Sequence, residues 1–249
     1  MLLRTVSACV AVLALVNLSP NASALLIDSF MDAGGSDQGV VVAFSATSGP
    51  AVVRGVGGIV GTHRSVAASS VTYNMPGTSG RRLEAVVRDD GSDAFTLENG
   101  TRSKGIGNVK WDSNGAGLGG VDITDGGGSP LIAFNYDTDP TGENGQVCYT
   151  LTLVDTLDNS FSKTILSAVN SNNGAVGIFH LNLFSAAGVD LTSINTIMFD
   201  VEAKFFGADT NVQFLRSTAI PEPSSFVIAL TGLGIAGVYF RRRRNQLSA

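Results

Sequence analysis

Residues 146–156 read QVCYTLTLVDT, and residues 195–203 read NTIMFDVEA. In the first stretch Val147, Tyr149, Leu151 and Leu153 alternate with Cys148, Thr150 and Thr152. In the second, Ile197, Phe199 and Val201 face one way, and Asp200 and Glu202 face the other. An apolar residue at every second position places all the apolar side chains on one side of a pleated strand. Period-two alternation is therefore the mark of a strand buried on one face only.

The same reading extends along the chain. IFHLNLFS (178–185) alternates Phe179, Leu181 and Leu183 with His180 and Asn182, which predicts a strand. GVVVAFSA, RLEAVVR, NVKWDS, GVDIT, PLIAFNYDT and NVQFLRS are further candidates. Clusters such as DDGSD, SNGAGLGG, DGGGSP and NSNNG separate them and read as turns. Helical periodicity is almost absent. A short helix around Ala186 to Ile194, bridging two strands, is the one candidate. About a dozen short strands at close spacing predict an all-β fold, a single β-sandwich of jelly-roll-like type. No fixed-period repeat is seen, which counts against a solenoid or propeller.

The two ends follow a different logic. Residues 1–24 carry one early cation, Arg4, then an apolar stretch from about Val6 to Leu18, then Ala22-Ser23-Ala24. Charge, apolar core and small-residue site in that order predict a signal peptide that signal peptidase, reading Ala22 and Ala24, cuts after Ala24. At the other end Pro221-Glu222-Pro223 precedes an uncharged run from Phe226 to Phe240, closed by Arg241, Arg242, Arg243 and Arg244. Such a run, as a helix, rises about 22 Å against a hydrocarbon core of roughly 30 Å, so a short span is feasible with snorkelling arginines. The arginines would remain on the cytoplasmic side. The predicted organisation is a signal peptide (1–24), a β-sandwich (25–219) and a C-terminal segment (220–249) with a transmembrane helix over 226–240.

The body is acidic. Of 16 basic and 21 acidic residues, setting aside Arg4, Arg241 to Arg244 and Glu222 leaves 11 against 20, a net charge of −9. That argues against nucleic acid as a partner, because phosphates select basic surfaces. With Cys9 in the leader, Cys148 is alone in the remaining chain and has no internal disulfide partner. Its strand setting points to a buried, inert thiol.

Motifs for chemistry are few. Gly232, Gly234 and Gly237 spell G-x-G-x-x-G, but arginines and the end of the sequence follow instead of the context a dinucleotide site needs. DTDPTGENGQVC (137–148) begins like an EF-hand loop, yet its twelfth position is Cys148 and strands flank it, so that reading fails. A looser structural Ca²⁺ site has candidate ligands in Asp89, Asp90 and Asp93, in Asp122 and Asp125, and in Asp137 and Asp139. Aspartate also favours turns for its own hydrogen bonds. No other cofactor is indicated. His63 and His180 are the only histidines, and no H-E-x-x-H, C-x-x-C or G-x-S-x-G occurs. Trp111 and Tyr136 are the candidate aromatic platforms for a sugar, although a strand tryptophan belongs to a core more often.

The tail resembles the PEP-CTERM sorting signal of bacterial surface proteins: Pro221-Glu222-Pro223, a short apolar helix and a basic cluster, in that order. A plain C-terminal membrane anchor shares the helix and the arginines but gives no reason for the Pro-Glu-Pro. LLIDSF (25–30) and GLGGVDIT (117–124) resemble a group of uncharacterised secreted proteins with that tail. The resemblance implies a membrane-embedded exosortase as partner, acting at Pro221-Glu222-Pro223. It also implies a Gram-negative-type bacterium that makes exopolysaccharide, and a protein exported to the cell surface or beyond. The expected function is a non-enzymatic component of the envelope or polysaccharide (biofilm) matrix. The alternatives are a carbohydrate-binding, lectin-like module and a glycan-active enzyme.

Overall fold

The computed structural model describes residues 25–30, 38–43, 49–55, 59–73, 82–88, 93–139, 146–167 and 174–218. The signal-peptide reading (1–24), the tail readings (220–249), Asp89 and Asp90 lie outside them. The chain divides into two units, 1–219 and 220–249.

Fourteen strands are seen among the described residues: β1 (Leu26–Asp28), β2 (Gln38–Ala43), β3 (Gly49–Gly55), β4 (His63–Tyr73), β5 (Arg82–Arg88), β6 (Ala94–Asn99), β7 (Ser103–Trp111), β8 (Leu131–Asp139), β9 (Val147–Asp155), β10 (Ser160–Leu166), β11 (Ala175–His180), β12 (Ile194–Ala203), β13 (Asp209–Val212) and β14 (Leu215–Thr218). One helix of two turns, Leu181–Ala186, follows β11. Two sheets result. The six-stranded sheet runs β10-β9-β12-β7-β4-β3, and the eight-stranded sheet runs β1-β14-β8-β13-β6-β5-β2 with β11 also on β8. Every pairing between strands is antiparallel. Strand β8 carries β11 along one edge, and β14 then β13 along the other. The fold is a β-sandwich.

The alternation that predicted the fold is what builds its core. Val147, Tyr149, Leu151 and Leu153 of β9, with Ile197, Phe199 and Val201 of β12, are all fully buried. They meet an aromatic group from the other sheet. The Phe134 ring lies 5.0 Å from Tyr149 and 5.1 Å from Phe199, both edge-on, the geometry aromatic quadrupoles favour. Glycine permits the closest approaches. A Cβ on Gly177 would fall 2.1 Å from the Phe134 ring, and one on Gly107 would meet Leu97 and Phe95 at 3.0 Å.

A second centre is polar. Asp28 and Arg64 are both fully buried and form an ion pair at 2.9 Å. Trp111 Nε1 donates to Asp28 Oδ2 at 2.8 Å, and the Phe30 amide donates to Oδ1 at 2.7 Å. Arg64 Nε donates to Gln38 Oε1, and Gln38 Nε2 returns a bond to the Arg64 carbonyl. Burial pushes the Asp28 carboxyl up, and Arg64, Phe30 and Trp111 draw it back. The short link from Asp28 to Phe30 is strained: Phe30 is buried in the left-handed region, φ 58°.

Four expectations are corrected. Leu181 to Ser185 is helical rather than extended, because Leu181 and Phe184, three apart, are the residues buried there. The helix therefore comes earlier than expected and ends at Ala186, and residues 187–193 form the turns that lead into β12. GVDIT is a turn touching the sheet through one bridge, Val121 to Ile194. NVQFLRS is split between β13 and β14 by one extra residue against β8.

Removing the carboxylate should expose the role of the polar centre. Asp28→Ala leaves a buried guanidinium without its counter-charge, and urea unfolding should show a loss of about 3–5 kcal/mol. A loss below about 1 kcal/mol would mean that the pair contributes little.

Candidate ligand face

The residues expected to hold a ligand are placed as follows. Trp111 is fully buried and Tyr136 is 5% exposed, so neither ring offers a face to a sugar. This corrects the platform reading. Both rings were absorbed into the core, Trp111 through its bond to Asp28 and Tyr136 against Tyr149 at 4.8 Å. Asp122 closes its own turn: Oδ1 accepts from the Thr124 amide and hydroxyl at 2.8 and 2.6 Å, and Oδ2 accepts from the Gly126 amide. Those donors hold its carboxyl below the usual range. Asp125 and Asp93 adopt positive φ. Asp137 Oδ1 accepts from the Gly174 amide at 2.6 Å, and Asp139 ends β8 opposite Asp209. Among the described residues no three His, Cys, Asp or Glu side chains gather as a metal cage.

Asp155, which the sequence reading passed over, is the most thoroughly bonded turn aspartate. It accepts from the Leu157 and Asn159 amides, the Asn159 side chain and the Asp190 amide, at 2.8–3.0 Å. Its own surface is covered by the turn it organises. Asn159, with the backbone amides, lowers its carboxyl. The D-x-x-x-N spacing at the end of β9 was the available signal.

The outward face of the six-stranded sheet is built from the positions that alternate with the core. Strand register sets Ser162, Thr152, Met198, Lys110 and Ser65 in one row across β10, β9, β12, β7 and β4. The next row is Thr164, Thr150, Asp200, Asn108 and Ala67. Such rows lie about 7 Å apart, with neighbours in a row about 4.8 Å apart. Hydroxyls pair across strands, Thr152 with Ser162 at 2.7 Å and Thr150 with Thr164 at 2.8 Å. Asn108 Nδ2 donates to Asp200 Oδ1.

The charges on this face have partners: Lys110 lies 2.6 Å from Asp112, and Lys204 lies 2.7 Å from Glu202. What remains is a field of hydroxyls, an amide and one half-buried carboxyl, interrupted by Met198 and Ala67. Burial pushes Asp200 up, Asn108 draws it back and Glu202 adds to the rise. Cys148 lies on the same face, buried, and burial pushes its thiol up, which keeps it protonated and inert. Chemically the face can exchange hydrogen bonds with a hydroxylated surface.

Residues 219–244 match the PEP-CTERM protein-sorting motif, so the chain carries a sorting motif where the Pro-Glu-Pro, apolar and arginine segments stand. No curated protein matches the chain. Among solved structures, a Family 11 carbohydrate-binding module from Clostridium thermocellum, in complex with a beta-1,3-1,4-mixed-linked tetrasaccharide, is similar. Its TM-score is 0.40 at 9% identity, covering 81% of this chain and 98% of that one. A Family 29 carbohydrate-binding module complexed with cellulohexaose gives 0.31 at 14% identity, covering 74% and 92%. An exo-beta-agarase gives 0.41 at 12% identity, covering 80% of this chain but 25% of that one.

Asp200 and Asp155 should respond to pH with opposite signs. The folded state holds the Asp200 proton more tightly than the unfolded chain does, so ionising Asp200 costs stability as pH rises through the carboxylate range. Asp200→Asn removes that cost, and its melting temperature should gain on the parent between about pH 3 and pH 6. The folded state holds the Asp155 proton less tightly, so Asp155 adds stability that is lost as pH falls. Asp155→Asn should lag the parent most at neutral pH, and the gap should narrow toward about pH 2. Thermal melts across that range check both signs.

Proposed function

We propose that this chain is an exported protein of a bacterial cell envelope and that its body is a non-enzymatic component of the surface or the extracellular polysaccharide matrix. The observation that supports this is the match of residues 219–244 to a protein-sorting motif. In this reading signal peptidase cuts after Ala24. An exosortase then acts at Pro221-Glu222-Pro223 while the run from Phe226 to Phe240 is held in the membrane and Arg241 to Arg244 stop its passage. Two prolines fix their own φ and bias the residues before them toward extended backbone, which suits a strip presented to a processing enzyme. Among the described residues no helix is long and apolar enough to cross a membrane, and the run from Phe226 to Phe240 lies outside them.

Contact with polysaccharide is the finer part of the proposal. It is supported by the hydroxyl and amide rows on the outward face of the six-stranded sheet. Those groups suit a hydrated polymer bound through many weak hydrogen bonds.

Fractionation and blotting in a host that carries the exosortase test the reading. Glu222→Ala should leave membrane insertion intact and impair processing, because the helix and arginines are unchanged. Deleting residues 241–244 should instead disturb retention. Normal processing of a variant with alanine at Pro221, Glu222 and Pro223 would reduce the tail to a plain anchor. A processed body recovered free in the medium, with none in the polysaccharide fraction, would remove the matrix role and leave the sorting role standing.

A further inference from the structure

Among the described residues strand β11 is an edge: its one partner strand is β8, through register pairs Ala175↔Tyr136 to His180↔Leu131. An unpaired edge presents a row of backbone donors and acceptors and templates another strand unless it is guarded by charge, proline or a bulge. The neighbouring edge of the other sheet, β10, is guarded. Lys163 stands opposite buried Leu151, on the side of the strand that faces the core, where its charge opposes a further sheet. β11 has no such device. Its sequence AVGIFH carries no Lys, Arg, Asp, Glu or Pro, and its register on β8 is free of bulges.

The outward side of β11 is apolar. Val176 is 58% exposed and Ile178 is 41% exposed, both large aliphatic residues on one face of a six-residue strand. Leu183, on the helix that follows, is 40% exposed.

We infer that two copies of this chain pair along β11, antiparallel about a two-fold axis. The register follows from parity. Gly177 and Phe179 face the core, and Val176, Ile178 and His180 face out, so a continuous sheet requires outward residues opposite outward residues. A two-fold must therefore pass through a residue and not between two. Centred on Gly177, it sets Val176 against Ile178 of the second copy, twice, and Ala175 against Phe179. Centred on Ile178, it would set Val176 against His180 and bury less apolar surface. The Gly177 register gives two aliphatic cross-strand pairs, and no like charges meet, since the strand carries none. A second copy thus fits by self-complementarity, the condition an isologous interface imposes.

The test is disulfide trapping of the full chain, with Cys9 and Cys148 replaced by Ser. Val176→Cys and Ile178→Cys chains are mixed and oxidised, and the cross-linked peptides are read by mass spectrometry. Val176, Ile178 and Leu157 are exposed, Cys148 is buried and takes the near-isosteric Ser, and melting temperatures matched to the parent confirm folding. The expected result is a 176–178 bond between copies, formed several-fold more than 176–176, 178–178 or a Leu157→Cys control at another exposed site. A 176–178 yield at only the roughly twofold excess over each like bond that random pairing of an equal mixture gives, or a dominant 178–178 bond, would overturn the inference. Association through the tail alone would give that random ratio and no further preference for 176–178.

Discussion

A guanidinium buried in a β-sandwich keeps its charge, and the fold has to supply the opposite charge at a fixed place. Arg64 of β4 finds it in Asp28 of β1, and Trp111 of β7 and Gln38 of β2 complete the shell. Strands β1 and β2 belong to the eight-stranded sheet, and β4 and β7 belong to the six-stranded one. One ion pair therefore joins the two layers where hydrophobic contact alone would leave their relative position less defined. Its reach extends to both ends of the described body. β1 pairs with β14, the Leu25 amide donates to Ser217 Oγ, and the Ser217 amide donates to the Leu25 carbonyl. The first and last described strands are thus neighbours, held by the strand that carries Asp28.

How much of this was legible depended on whether the information was periodic, linear or spatial. β9 and β12 were readable because large apolar residues fill successive inward positions, Val147 to Leu153 and Ile197 to Val201. β4 was not. Its inward positions include Arg64 and Ala68 as well as Val66, and its outward positions are small, so the pattern carries no contrast. The stretch from Phe179 to Leu183 misled for another reason. Leu181 satisfies both the period of a strand and, with Phe184, the spacing of a helix, and the end of the sheet edge decided between them. Trp111 could not be assigned to core or surface from its strand alone, because its burial depends on a carboxylate 83 residues away.

The aspartates show the same division. The sequence reading marked Asp122 among the candidate cation ligands, and in the structure its oxygens accept from the Thr124 amide and hydroxyl and from the Gly126 amide. A turn that needs such donors and a site that binds a cation look alike in a string of letters. The outward face of the six-stranded sheet was half visible, since the alternation named Thr150, Thr152, Asp200 and Glu202 as its members. The partners Ser162, Thr164 and Asn108 came from register, which only pairing can give. The sorting motif at residues 219–244 was legible because such a signal is read as a linear order of segments and needs no fold to be recognised.

The central structural claim is that Asp28 and Arg64 act as one unit. A double-mutant cycle with Asp28→Ala and Arg64→Met, followed by urea unfolding of the parent, both single variants and the double variant, measures this directly. The account predicts strong coupling: the double variant is more stable than the sum of the single losses allows by about 1–3 kcal/mol, because removing both charges leaves none stranded. Losses that add to within about 0.5 kcal/mol would show two independent residues and would contradict it.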